Sequence, residues 1–115
     1  MGQEKYDEAG TAWKEFIEKY KDEALASKAR YWLGQTYFVR KQFKLASQTF
    51  FSGFNADPNG PDAINMLYSL GFSFVEQDKI TEACSIFKIF RTDFPDAPKQ
   101  LLQNVTAERK EIGCK

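Results

Sequence analysis

The stretch "ARYWLGQTYF", residues 29–38, is similar to "MLYSLGFSFV", residues 66–75, and both contain the pattern Tyr-x-Leu-Gly. The two tyrosines are 37 residues apart, and a shift of the whole chain by that distance brings further pairs together. The shift aligns identical or similar residues: Tyr31 with Tyr68, Leu33 with Leu70, Gly34 with Gly71, Ala9 with Ala46 and Ala83, and Trp13 with Phe50 and Phe87. The chain is therefore built from repeats of a length typical of helix pairs.

Apolar residues recur at spacings of three and four, which predicts about six helices. Pro58 and Pro61 cannot continue a helix, and a second break comes at "FPDAP", residues 94–98. We predict Asp62 as the N-cap of the fourth helix and Asp96 as that of the sixth, with Pro98 in the sixth helix's first turn. The predicted helices cover residues 4–20, 23–39, 43–55, 63–76, 80–93 and 97–111.

Small residues mark the places where two helices of a pair approach each other. Gly34 and Gly71 lie in one helix of each pair, and Ala46 and Ala83 lie in the other. A single pair cannot bury its own apolar face, so neighbouring pairs stack and share a continuous core. The fold class we predict is all-α, a right-handed superhelix of about six antiparallel helices.

Composition argues against several classes of function. The chain has 115 residues with 16 basic and 16 acidic side chains, so no net charge attracts nucleic acid or an anionic membrane. It has no histidine, which removes the usual general base and the usual zinc-binding nitrogen. No apolar run is long enough to span a membrane. We therefore expect a protein-binding domain and no enzyme, cofactor or metal site.

The order of the repeated residues resembles the tetratricopeptide repeat. That pattern runs Leu-Gly-x2-Tyr/Phe, then Ala, then Phe four residues later, then Pro, and it is met by "LGQTYF", "LASQTFF" and "DP" and again by "LGFSFV", "EACSIFK" and "FP". Arg30 and Leu67 stand where the generic pattern often has tryptophan, and Trp32 is displaced by two residues. The resemblance divides a single domain, 1–115, into the second helix of a partial repeat (4–22), two full helix pairs (23–58 and 60–95) and a C-terminal capping helix (96–112).

A narrower resemblance covers essentially the whole chain. The combination of "YDEA", "FIEKY", "ARYWLGQTYF", "EAC", "FPDAP" and "AERKEIGC" is similar to the C-terminal domain of the CpoB/YbgF family, the Tol-Pal-associated cell-division coordinators of Gram-negative bacteria. The resemblance implies a periplasmic protein with a signal peptide and a trimer-forming coiled coil ahead of this domain. It also implies binding to TolA, and coupling of envelope constriction to peptidoglycan synthesis by a class A penicillin-binding protein. We expect the isolated domain to be mainly monomeric.

The two cysteines are relevant to the cellular compartment in which the protein is found. If the last two helices pack antiparallel, Cys84 and Cys114 come to the same end, where a disulfide is geometrically reasonable. A periplasmic location favours the bond, because disulfides are rare in reducing compartments. The alternative is a buried small residue at Cys84 and an incidental exposed thiol at Cys114.

The partner surface is expected on the concave face, which the first helix of each pair lines in a tetratricopeptide array. The residues predicted to point there are Lys28, Tyr31, Gln35, Phe38, Asn65, Tyr68, Phe72 and Val75. Such a surface suits an apolar helix face or an extended peptide. The alternative is that several of these aromatic side chains pack between adjacent repeats. Rival functions are a scaffold of another envelope complex, of the outer-membrane assembly lipoprotein type, and a structural spacer with an empty groove.

Overall fold

The computed structural model describes Lys14 and residues 24–115. Within 24–115 the chain forms five helices: α1 (Ala24–Val39), α2 (Phe43–Ala56), α3 (Ala63–Glu76), α4 (Ile80–Asp93) and α5 (Lys99–Glu111). No strand occurs in this part of the chain. The predicted helix over 4–20 lies outside the described residues, except for Lys14, which is helical. The bounds of α1 to α4 fall within one residue of those predicted from the sequence.

The predicted start of α5 is wrong. Pro98 is the N-cap residue, with an extended backbone (φ −51°, ψ 134°), and the helix begins one residue later at Lys99. Asp96 therefore lies too far ahead of the helix to cap it. The physical reason is a turn in which the Ala97 amide donates to the Phe94 carbonyl at 3.0 Å, and which buries the Ala97 side chain.

The predicted cap of α3 is correct in position only. Asp62 is the N-cap residue, but its side chain makes no capping hydrogen bond. Its backbone is already close to helical, with φ −100° and ψ 0°, whereas a capping side chain usually needs an extended backbone. A first-turn amide is satisfied by the main chain instead, since the Ala63 amide donates to the Gly60 carbonyl at 3.2 Å.

The turns inside the two helix pairs repeat each other. Lys41, between α1 and α2, and Asp78, between α3 and α4, both have positive φ, at 62° and 60°. Each turn is closed by the same pair of main-chain bonds, all at 2.9 Å: Lys41 to Phe38 and Gln42 to Tyr37 in the first, Asp78 to Val75 and Lys79 to Phe74 in the second. This is the pattern that ends a helix at a left-handed residue.

The helices of each pair touch at glycine. A Cβ on Gly34 would overlap the ring of Phe50, with Cδ1 of that ring only 2.7 Å away, and Gly71 has the same relation to Phe87. Both phenylalanines are fully buried. The close approach predicted at these glycines is therefore present, and each ring fills space that any larger residue would need.

Neighbouring pairs share one core. Met66 of α3 packs against Gly53 of α2, and Gln77 at the end of α3 reaches back to the start of α2. The Gln77 amide donates to the Phe43 carbonyl at 3.2 Å and to the Ser47 hydroxyl at 2.9 Å. Helix α5 packs less closely on α4 than the earlier helices pack on one another, and its fully buried side chain is Val105.

Candidate protein-binding surface

The residues predicted to line the concave face form two matching rows on α1 and α3, which we call the α1–α3 stripe. Lys28 on α1 and Asn65 on α3 are exposed, and the others are half-buried. The half-buried members are Tyr31, Gln35, Phe38, Tyr68, Phe72 and Val75. The stripe therefore combines accessible polar groups with rings that are fixed on one side and open on the other.

Tyr31 is held from within its own helix. Its hydroxyl accepts a hydrogen bond from the Gln35 side-chain amide at 2.7 Å. Its ring lies 5.2 Å from that of Trp32 and 6.1 Å from that of Phe50, measured between centroids. The ring thus rests on the buried core of the first pair while its hydroxyl is oriented by a neighbour on the same stripe.

Tyr68, the equivalent residue of the second pair, is held by a different helix. Its hydroxyl accepts a hydrogen bond from the Asn104 amide of α5 at 3.0 Å, and Asn104 in turn accepts one from Gln100 at 2.9 Å. The Tyr68 ring lies 4.8 Å from Phe72 and 5.9 Å from Phe90. Asn104 and Gln100 are residues that the sequence reasoning did not place at the surface.

The remaining apolar members of the stripe both pack between helices and keep exposed surface for a partner, the two properties that the sequence left as alternatives. Phe38 packs edge-on against Phe43 at 5.0 Å, and Phe72 packs edge-on against the buried Phe87 at 5.1 Å. Val75 also contacts the core. Each of the three keeps part of its surface open, so inter-helix packing and partner contact do not exclude each other here.

Trp32 is a further aromatic residue beside the stripe. Its side chain is 46% exposed although tryptophan is large and apolar. It follows Tyr31 directly, so it extends the aromatic surface around the circumference of α1. Its displacement from the usual tryptophan position is the sequence signal that sets it apart from the core.

The two cysteines are joined to each other. The sulfur atoms of Cys84, near the start of α4, and Cys114, just after α5, are 2.03 Å apart, and the Cα atoms are 5.5 Å apart. The Cys114 amide also donates to the Arg109 carbonyl at 2.8 Å, which continues the end of α5 up to the bond. The disulfide thus links the last helix to the one before it.

The part of the chain that the structure describes has no metal-binding cluster and no membrane-spanning helix. No group of three or more acidic, cysteine or histidine residues there could hold a metal ion. None of the described helices has the length and apolar character needed to cross a membrane. What the stripe offers is apolar contact area, hydroxyl and amide groups, and one cation.

Comparison with known families supports the repeat assignment. Residues 66–97 match the family model of the tetratricopeptide repeat, a range that contains most of α3, all of α4 and the turn that follows. No curated protein matches the chain. The fold class predicted from the sequence is confirmed: the described chain is an all-α, tetratricopeptide-like array, a type of fold that acts as a protein-interaction module.

Proposed function

We propose that this protein binds a partner protein through the α1–α3 stripe, and that the segment bound is an apolar helix face or an extended peptide. The repeat array presents the stripe on two neighbouring first helices. Polar and aromatic residues alternate along α1, whereas on α3 a single polar residue, Asn65, is followed by tyrosine, phenylalanine and valine. Surfaces of this kind take up helices and extended segments with aromatic side chains as the main contacts.

One observation carries this proposal: the two equivalent tyrosines are fixed before any partner arrives. Tyr31 and Tyr68 each have a hydroxyl with a hydrogen-bond donor and a ring seated on a buried phenylalanine. An aromatic side chain that is already ordered loses little conformational entropy on binding. Such residues are good candidates for the contacts that dominate an interface.

Polar groups at one end of the stripe set the register of the partner. Lys28 and Asn65 are equivalent residues of the two helices and both are exposed. A cation on α1 and an amide on α3 can each hydrogen-bond the main chain or a carboxylate of a bound segment. They give direction to a surface that is otherwise mainly aromatic.

The partner we propose is TolA, within the Tol-Pal system of the periplasm. The support is the resemblance of the whole chain to the CpoB/YbgF family, together with a disulfide suited to an oxidising compartment. In this role the domain helps to coordinate outer-membrane constriction with septal peptidoglycan synthesis during cell division. A class A penicillin-binding protein is a second partner in the same role.

The test is a calorimetric titration of this protein with the soluble periplasmic part of TolA. Truncating Tyr31 or Tyr68 would also disturb the core, so the variant uses the exposed pair, Lys28→Glu with Asn65→Glu. A control with the same change of charge is Lys44→Glu with Gln48→Glu, at two exposed positions of α2. Circular dichroism confirms that both variants are folded.

We expect saturable binding by the native protein and the control, and a loss of binding in the stripe variant. Equal binding by both variants would exclude the stripe as the site. A native protein that gives no heat of binding would exclude TolA as the partner. If the protein is a spacer with an empty groove, no envelope protein tried should give a heat of binding.

A further inference from the structure

A second surface lies at the other end of the described chain, away from the stripe. It is a groove of about 520 Å³ between the last turn of α4 and the length of α5. Apolar groups of Pro95, Leu102 and Ala107 form part of it. Three cations also line it, and they are Arg91, Lys99 and Lys110. Of the described residues that line this groove, none is acidic.

The groove lies where the second helix of a third pair would pack. Counted from the first residue of each helix, Ala107 of α5 corresponds to Gly71 of α3, the residue on which Phe87 of α4 is seated. Thr106 and Lys110 correspond in the same way to Leu70 and Phe74. Ala107, Thr106 and Lys110 are all exposed, so no described helix covers this face.

The cations that line the groove determine the charge of a helix that can bind in it. Lys99 and Lys110 are separated by three turns of α5, which places them on one side of the helix and about 16 Å apart. Arg91 adds a third positive charge from α4. A basic helix would be repelled along its whole length, whereas an acidic one can pair with a cation near each end while its apolar side covers Leu102 and Ala107.

We propose that this groove docks an acidic amphipathic helix of a partner protein, which lies where the second helix of a third pair would pack. The occupant has a small residue facing Ala107 and carboxylates facing Lys99 and Lys110. This site does not share residues with the α1–α3 stripe, so either site can fail without the other.

The probe is a labelled 14-residue helical peptide with alanine at both positions that correspond to Ala83 and Phe87, so that a small residue faces Ala107, and with glutamates flanking the apolar side. Its matched control has lysine at every glutamate position. Binding to the whole protein is followed by fluorescence anisotropy at low salt and again in about 1 M salt, where exposed charges are largely screened. We expect saturable binding of the glutamate peptide at low salt, weaker binding at high salt, and no binding of the lysine peptide.

Two variants locate the site. Lys110→Glu reverses a charge inside the groove, and Lys44→Glu makes the same change on α2; both lysines are exposed. Reversal of one exposed ion pair should weaken binding about five- to tenfold in Lys110→Glu and leave Lys44→Glu at the native value. Amide resonances of Thr106 and Ala107 should shift on titration with the glutamate peptide.

Four results of the peptide titrations would overturn the proposal. They are no saturable binding of the glutamate peptide, equal binding of the lysine peptide, equal affinity in the two variants, and amide shifts confined to α1 and α3. Sedimentation of the protein without peptide tests another possible occupant, a second copy of this chain. A dimer that Lys110→Glu dissociates and Lys44→Glu does not would assign the groove to a second copy of this chain, and the proposal would be wrong.

Discussion

Asn104 of α5 donates its side-chain amide to the hydroxyl of Tyr68 of α3, at 3.0 Å. Both residues are the sixth of their helix, so the bond joins equivalent positions of successive first helices. The last helix therefore continues the register of the array and holds one of the two tyrosines of the stripe. Tyr31, which the 37-residue shift aligns with Tyr68, takes its bond from Gln35 of its own helix.

The Tyr68–Asn104 bond should contribute to the attachment of α5. Tyr68→Phe keeps the ring and removes the bond, and we expect a loss of about 1 kcal/mol in the free energy of unfolding. Amide exchange in α5 should become faster. Tyr31→Phe is the matched control, because it removes a bond within α1 and should leave exchange in α5 unchanged. Equal effects of the two variants on α5 would contradict this assignment.

The glycines at helix contacts should differ in their tolerance of alanine. Gly71→Ala gains helix propensity of roughly 1 kcal/mol but overlaps the fully buried ring of Phe87, and we expect a net destabilisation of about 1–2 kcal/mol. Gly53→Ala overlaps the flexible end of Met66, with Sδ at 2.7 Å, and makes an ordinary contact with Arg30 Cβ at 3.5 Å, so it should stay within about 0.5 kcal/mol of the native protein. Urea unfolding of both variants measures the difference. A Gly71→Ala protein as stable as the native one would show that the ring can move aside.

The fold could be predicted because its signals are local. A 37-residue shift aligns the glycines and phenylalanines at which paired helices touch, and prolines mark the longer breaks. The turns at Lys41 and Asp78 were predicted as breaks between helices, but their positive φ was not, since neither residue is the glycine that usually takes it. The start of α5 was missed because it depends on the burial of Ala97, which is a tertiary contact.

Gln77 should be important for the junction between the two pairs. Its amide donates to the Phe43 carbonyl and the Ser47 hydroxyl of α2, and Gln77→Ala leaves both without this donor. We expect a loss of about 1–2 kcal/mol on thermal or urea unfolding. Gln48→Ala, at an exposed position of α2, should change stability by less than about 0.5 kcal/mol. If both variants unfold alike, water satisfies the Phe43 carbonyl and the Ser47 hydroxyl in Gln77→Ala as well as Gln77 does in the native protein.

The stripe was predicted only in part from the sequence. Its residues on α1 and α3 followed from the repeat, but the contribution of Asn104 did not. The link before α5 is one residue shorter than the link before α3, so the 37-residue shift aligns Val105 with Tyr68, and Val105 is fully buried. Only the packed structure shows that Asn104 is the residue that faces Tyr68.

The disulfide should hold the last helix in place. Helix α5 has a single fully buried side chain, Val105, and packs lightly on α4, so its own contacts are few. Cys84 and Cys114 are separated by 30 residues, and closing such a loop stabilises a fold by roughly 3.5 kcal/mol in the chain-entropy model. Reduction should therefore lower the melting temperature, and amide exchange should rise first in α5 while α1 and α2 stay protected. Cys84→Ala with Cys114→Ala should melt like the reduced protein and show no response to reductant. An unchanged melting temperature on reduction, or a uniform loss of protection from α1 to α5, would show that α5 does not depend on this bond.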